Sequence, residues 1–232
     1  MKRVITIGVL GTFAYIGAQI YSLSNNLDRV RSEDPLVWSE EIAAFANAAP
    51  GPSNAFLFVG SSSIRRWVDL AKHMAPVPVI NRGFGGSKIG DVIYHSEVLF
   101  QAESPLAIVI FVGTNDITPG SSKSLGLMVD AFEQMMDGVR RQHPDTPVYY
   151  IAITPSPLRW EVWDEAQAIN RAISDLADGM ANTYVIDTAG QLMSAGVPDD
   201  NNYVFDRLHL SEQGYAIWAE IIRSRIFSDL NL

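Results

Sequence analysis

The 232-residue chain contains no cysteine, which excludes disulfides and thiolate metal sites and suits an oxidising compartment. Histidine is scarce too: His73, His95, His143 and His209 are the four, so a general base has few candidates. Basic residues are outnumbered, 17 Lys and Arg against 26 Asp and Glu for a net charge of −9, and they form no stripe. Nucleic acid is therefore not an expected partner. No internal repeat or low-complexity tract divides the chain, and its length suits one sizeable α/β domain with a well-buried core.

What the chain does have begins at the N-terminus. Lys2 and Arg3 precede Val4 to Leu23, a mostly apolar run with no charge before Asp28, matching the roughly 20 residues needed to cross a bilayer. Residues 1–24 are expected to be a membrane anchor, with the basic residues inside and the domain outside. A cleaved signal peptide is the rival, and Ser22 and Ser24 are its small-x-small site. Either way the folded domain is expected on the extracytoplasmic face, in a periplasm. Residues 25–33 are polar and read as a linker. Asp34-Pro35 then resembles an N-cap followed by proline at the first helical position, so the domain is expected over 34–232.

Short apolar runs follow, bounded by glycine or proline: Ala55 to Val59, Val77 to Ile80, Leu106 to Val112, Val148 to Ile153 and Tyr184 to Ile186. Each reads as a buried parallel strand. Helical periodicity occupies Ser62 to Met74, Lys88 to Gln101, Ser122 to Gln142, Trp160 to Ala181 and Ser211 to Phe227. This alternation predicts an α/β fold, a doubly wound sheet with helices on both faces and a ligand site at the carboxyl ends of the strands.

Three polar motifs fall at those ends. Gly60-Ser61-Ser62-Ser63-Ile64 follows the first strand, Gly83-Phe84-Gly85-Gly86-Ser87 the second and Gly113-Thr114-Asn115-Asp116 the third. Ser62 at a strand-to-helix junction is a candidate nucleophile, its backbone N–H and the helix dipole favouring negative charge nearby. The alternative is that Ser61, Ser62 and Ser63 only cap a helix. Gly86 lets the backbone approach a ligand, leaving its N–H free to face an oxyanion, and the Asn115 amide is a second donor toward the same point. Glycine pairs and Asn-Asp also occur in ordinary turns. A fourth stretch, Asp206-Arg207-Leu208-His209, lies ahead of Ser211, an N-cap of the last helix. Its spacing lets the Asp206 carboxylate reach His209 Nδ1, leaving Nε2 to accept a serine proton. His73, His95 and His143 read as surface or capping residues. No second histidine or cysteine stands at ligand spacing, so neither metal nor other cofactor is expected.

These stretches, in this order, resemble the four consensus blocks of the SGNH hydrolases, also called the GDSL esterase/lipase family, over residues 54 to 219. The resemblance implies a three-layer α/β/α fold with a five-stranded parallel sheet, no metal, and hydrolysis of carboxylic esters. It places the nucleophile on Ser62, the oxyanion hole on the Ser62 backbone, Gly86 and Asn115, and the remaining catalytic pair on Asp206 and His209. Ser61 stands where the family name records an aspartate. A bacterial subgroup with a Gly-Ser-Ser-Ser-Ile block is closer, sharing Asn81 to Ser87 and the Pro155 to Trp160 stretch.

Arg159 and Trp160 follow the fourth strand, where an arginine clamps a carboxylate or phosphate and a tryptophan stacks on a sugar. The alternative is a surface arginine beside a core tryptophan. A serine esterase for short, acetyl-type acyl groups is the expected function, since no apolar lid insertion supplies a groove for long chains. Its partner is a small acyl ester of a sugar, lipid or small alcohol. Lysophospholipid or thioester hydrolysis, and an inactive membrane-tethered binding module, are the competing readings. Oligomeric state is not legible.

Overall fold

The computed structural model describes residues 28–232. The expected anchor or signal segment lies outside these residues, and among those described no helix is long and apolar enough to cross a membrane.

Five parallel strands form the central sheet: β1 (Phe56–Gly60), β2 (Val79–Gly83), β3 (Ala107–Phe111), β6 (Val148–Ile151) and β7 (Thr183–Ile186), in the order β2-β1-β3-β6-β7. A short hairpin, β4 (Ile117–Thr118) with β5 (Ser121–Ser122), leaves the main sheet after β3. The order reverses at β1, so the crevice between the ends of β1 and β3 is the topological switch point where ligands bind in such sheets.

Alternating side chains send β1 into two separate cores. Leu57 and Val59 join Ile108, Ile110 and Tyr150 beneath the helices Leu125–Gln142 and Trp163–Asp178, through Phe132, Met135, Ile169 and Ile173. Phe56 and Phe58 face the other way, joining Val109, Phe111, Tyr149 and Ile151 under Trp67 and under Trp218 and Ile222 of the helix Glu212–Leu230. Both faces are covered, which gives the three-layer α/β/α sandwich.

Four of the five expected helices are shorter than their periodicity, and the last runs on from Glu212 to Leu230. Ser62 to Met74 divides into Ser62–Arg65 and Leu70–His73. The intervening turn buries Trp67, which stacks on Tyr215 with centroids 5.5 Å apart and donates from Nε1 to His73 Nδ1 at 2.9 Å. Lys88 to Gln101 likewise divides into Ile89–Tyr94 and Ser96–Leu99. The Pro119-Gly120 turn of the hairpin displaces the next helix start to Leu125, capped by Ser124 Oγ. Pro157 opens a 3₁₀ turn over Pro157–Val162 before the helix Trp163–Asp178.

Residues 28–33, expected as a linker, are packed on the domain. Arg29 lies over the Trp38 ring, 4.5 Å from its centroid, and its Nη2 contacts Glu41 Oε1 at 2.6 Å. Lys88 Nζ donates to the carbonyl of Ser32 at 2.9 Å and pairs with Glu33. The charged side chains that make this stretch look solvated are the ones that tie it down.

Candidate active site

Strand β1 ends at Gly60, whose φ of +141° and lack of Cβ are both needed, because a Cβ there would run into the Phe111 carbonyl. That carbonyl accepts the Ser61 N–H at 2.9 Å. The chain bends sharply into the helix Ser62–Arg65, and Ser62, as its first residue, has an N–H with no intrahelical partner.

The loop carrying Asp206 and His209 is closed on itself. Tyr203 and Leu210 form an antiparallel bridge, and Val204 N–H donates to the His209 carbonyl at 2.9 Å. Tyr203 OH ties the loop to the Pro155 carbonyl at 2.6 Å. Within it, Asp206 Oδ1 accepts the backbone N–H groups of Leu208 and His209 at 3.0 and 2.9 Å, an arrangement that holds Arg207 at φ +58°. Asp206 Oδ2 lies 2.7 Å from His209 Nδ1, and His209 Nε2 lies 2.8 Å from Ser62 Oγ. A carboxylate only accepts, so Nδ1 carries the ring hydrogen and Nε2 is left to accept the Ser62 hydroxyl. Residues 147 positions apart are thus joined in one hydrogen-bonded chain.

Electrostatics suit that tautomer. Burial penalises the imidazolium, and although the Asp206 hydrogen bond opposes this, the charge of Arg66 reinforces it, so His209 titrates below its ordinary value. Burial also works against the Asp206 carboxylate, but the His209 and Leu208 backbone donors and the ring outweigh it and hold its pKa below the usual value. Arg66 Nη1 stands 3.8 Å from Asp206 Oδ2.

The Gly113–Asp116 motif lines the same pit as Ser62, and the Gly83–Ser87 loop is hydrogen-bonded to that motif. Asn115 is buried, and one hydrogen of its Nδ2 goes to the Ser87 carbonyl at 3.0 Å, which orients the amide and leaves its second hydrogen available. Asp116 fastens the same two loops: its Oδ2 accepts the Ile89 N–H at 3.0 Å. Gly86 has φ +81°, and a Cβ there would clash with Val30 Cγ2. Gly86→Ala is therefore expected to lower unfolding free energy by about 1–2 kcal/mol, the cost of a side chain in left-handed backbone, as read by urea denaturation.

The family model for the GDSL-like Lipase/Acylhydrolase family matches residues 48–217. This chain belongs to that family. It is an ester hydrolase. Platelet-activating factor acetylhydrolase IB subunit alpha2 of Homo sapiens is 24% identical over 172 residues, covering 69% of this chain and 70% of the relative. Among solved structures, the lipase/acylhydrolase from Enterococcus faecalis superposes with TM-score 0.61 at 22% identity, over 76% of this chain and 96% of that one. A GDSL-like lipase from Bacteroides thetaiotaomicron gives 0.65 at 19% identity, over 84% and 98%. The sheet order and layering described above are those of GDSL-like hydrolases.

Two spaces share Asn115 in this hydrolase, and one of them reaches Ser62. One is a pit of about 10 Å³ bounded by Ser62, Phe111, Thr114, Asn115, Ser156 and Leu208. The other, about 570 Å³, also has Asn115 in its wall, together with Val30, Glu33, Lys88, Lys123 and Arg159. Sequence reasoning missed Thr114, whose buried hydroxyl beside the pit has no hydrogen-bond partner among the described residues, and also Arg66 and the Lys88/Lys123 wall. Only the position of Thr114 inside the Gly113–Asp116 motif signalled it. Arg159 borders the large cavity. Trp160 does not: it lies parallel to Trp163, centroids 6.3 Å apart, and packs against the core. This is the core-packing alternative given for it above, with the residue only partly buried.

The remaining histidines have structural partners. His95 Nε2 lies 2.9 Å from the Pro35 carbonyl and His143 Nε2 2.7 Å from that of Phe100. His143 caps the helix Leu125–Gln142, as expected of a capping residue, and is buried with its ring against Phe100.

Proposed function

We propose that this protein is a serine esterase for short-chain, acetyl-type esters, acting through an acyl-enzyme on Ser62. The Ser62, His209, Asp206 chain of hydrogen bonds carries the reading. Ser62 Oγ attacks the acyl carbonyl while its proton passes to His209 Nε2, and Asp206 stabilises the imidazolium. The oxyanion is held by the backbone N–H groups of Ser62 and Gly86 and by Asn115 Nδ2. The carbon–oxygen bond to the alcohol then breaks, and the alcohol leaves with the His209 proton. Water attacks the acyl-enzyme, giving a proton to Nε2, and Ser62 Oγ departs with it as the carboxylic acid is released.

The volume of the pit supports the short acyl preference. About 10 Å³ beside Ser62 is roughly the room of one water, whereas the larger cavity suits the alcohol. Hydrolysis of a series of 4-nitrophenyl esters is expected to peak at acetyl and fall several-fold by hexanoyl. A peak at octanoyl or longer would replace this reading with a lipase or lysophospholipase one. The Gly60–Ile64, Asn81–Ser87 and Pro155–Trp160 stretches favour the bacterial subgroup with the Gly-Ser-Ser-Ser-Ile block. The run from Val4 to Leu23 favours tethering at the extracytoplasmic face.

The pH dependence follows from His209. A base with a lowered pKa stays neutral to lower pH, so the acid limb of kcat/KM is expected below about 6.5, the ordinary histidine value. Arg66→Ala removes a charge that disfavours the imidazolium, so it raises the His209 pKa and moves that limb to higher pH. A pH–rate profile of both proteins checks the sign.

A further inference from the structure

The wall of the 570 Å³ cavity is cationic in a chain of net charge −9. It contains Arg31, Lys88, Lys123 and Arg159 against Glu33 and Asp116. The two lysines are already satisfied. Lys88 pairs with Glu33, and Lys123 Nζ lies 2.8 Å from Asp116 Oδ1 and 3.3 Å from Glu33 Oε2.

Arg159 is different. Its backbone N–H donates to Ser156 Oγ at 3.3 Å, which fixes the start of the Pro157–Val162 turn. Its guanidinium has no ion-pair partner among the described residues, and its Nε is fully buried with no hydrogen-bond partner. Burial alone pushes its pKa down. Removing a guanidinium from water without an anion costs folding free energy, and a bound anion would recover it. Arginine's fork also meets carboxylate and phosphate oxygens two at a time.

We infer that Arg159 anchors an anion subsite in the large cavity, and that the ester hydrolysed at Ser62 carries a carboxylate or phosphate on its alcohol portion. The inference rests on the proposed assignment of Ser62 and of the pit to the acyl group. Asn115 lines both spaces, so an acyl group in the pit and an anion on Arg159 belong to one bound molecule. The scissile ester lies between them.

The test compares kcat/KM for matched acetyl esters. For carboxylate the pair is 4-acetoxybenzoate and 4-acetoxybenzamide, and for phosphate 1-acetylglycerol 3-phosphate and 1-acetylglycerol. In the wild type at least one anionic member is favoured, and in Arg159→Ala that preference falls ten-fold or more. Arg159→Lys keeps part of it, because the charge remains and the fork does not. Arg159→Gln serves where the alanine variant fails to fold. The pair with the larger fall identifies the anion. Equal preferences in the wild type and the variants, for both pairs, overturn the subsite. If the folded wild type hydrolyses none of the four esters, the Ser62 reading has failed, and titration with inorganic phosphate decides the subsite alone. A rise in Tm for the wild type that Arg159→Gln lacks supports it, and an equal rise in both overturns it.

Discussion

Ser62→Ala and His209→Ala are each expected to lower kcat on 4-nitrophenyl acetate by about 10⁴-fold or more, the scale seen when one member of such a unit is removed. The Ser62 and His209 side chains are joined by a single hydrogen bond of 2.8 Å, and proton transfer from the nucleophile needs both ends. The double variant should therefore lose little beyond either single one. Residual turnover persists because the oxyanion donors remain. Ser62 Oγ makes no other hydrogen bond among the described residues, so Ser62→Ala should melt within a few degrees of the wild type. Stopped-flow turnover beside a thermal melt separates lost chemistry from lost fold.

Asn115→Ala is expected to lower kcat by about 10²–10³-fold, equivalent to 2.7–4 kcal/mol, with KM changed far less. The amide is one of three donors proposed for the oxyanion, and its charge-stabilising bond strengthens only as the tetrahedral intermediate forms. The substitution also strands the Ser87 carbonyl that Nδ2 now satisfies, a loss of about 1 kcal/mol that a denaturation curve reports separately. A variant with raised KM and unchanged kcat would make Asn115 a ground-state binding group instead.

The sheet was legible because each strand is buried on both faces and so reads as an apolar run. The exception is instructive. Strand β2 was expected over Val77 to Ile80 and lies at Val79–Gly83, because Arg82 is not at a strand end in solvent. Its Nη1 reaches the Phe45 carbonyl at 2.6 Å, with the guanidinium over the Phe45 ring. Periodicity marked the helical regions without their breaks, since the Trp67 turn exists to pack against Tyr215, a residue 148 positions away. At the site, Ser62, Asn115, Asp206 and His209 were legible because each sits in a short polar motif at a strand end or ahead of a helix cap. Glu33, Lys88 and Lys123 were not, because the ion pairs from Glu33 to the two lysines cross more than 50 residues and leave no local pattern. For Trp160 two readings stayed open in the sequence, because adjacency to Arg159 says nothing of which way a 3₁₀ turn aims the ring.

The central claim is covalent. Acid quench of the enzyme during turnover of 4-nitrophenyl acetate, followed by peptide mapping, should find one acetyl group on Ser62 and none in Ser62→Ala. An acetyl group on another residue, or steady turnover by Ser62→Ala at the wild-type rate, would contradict it.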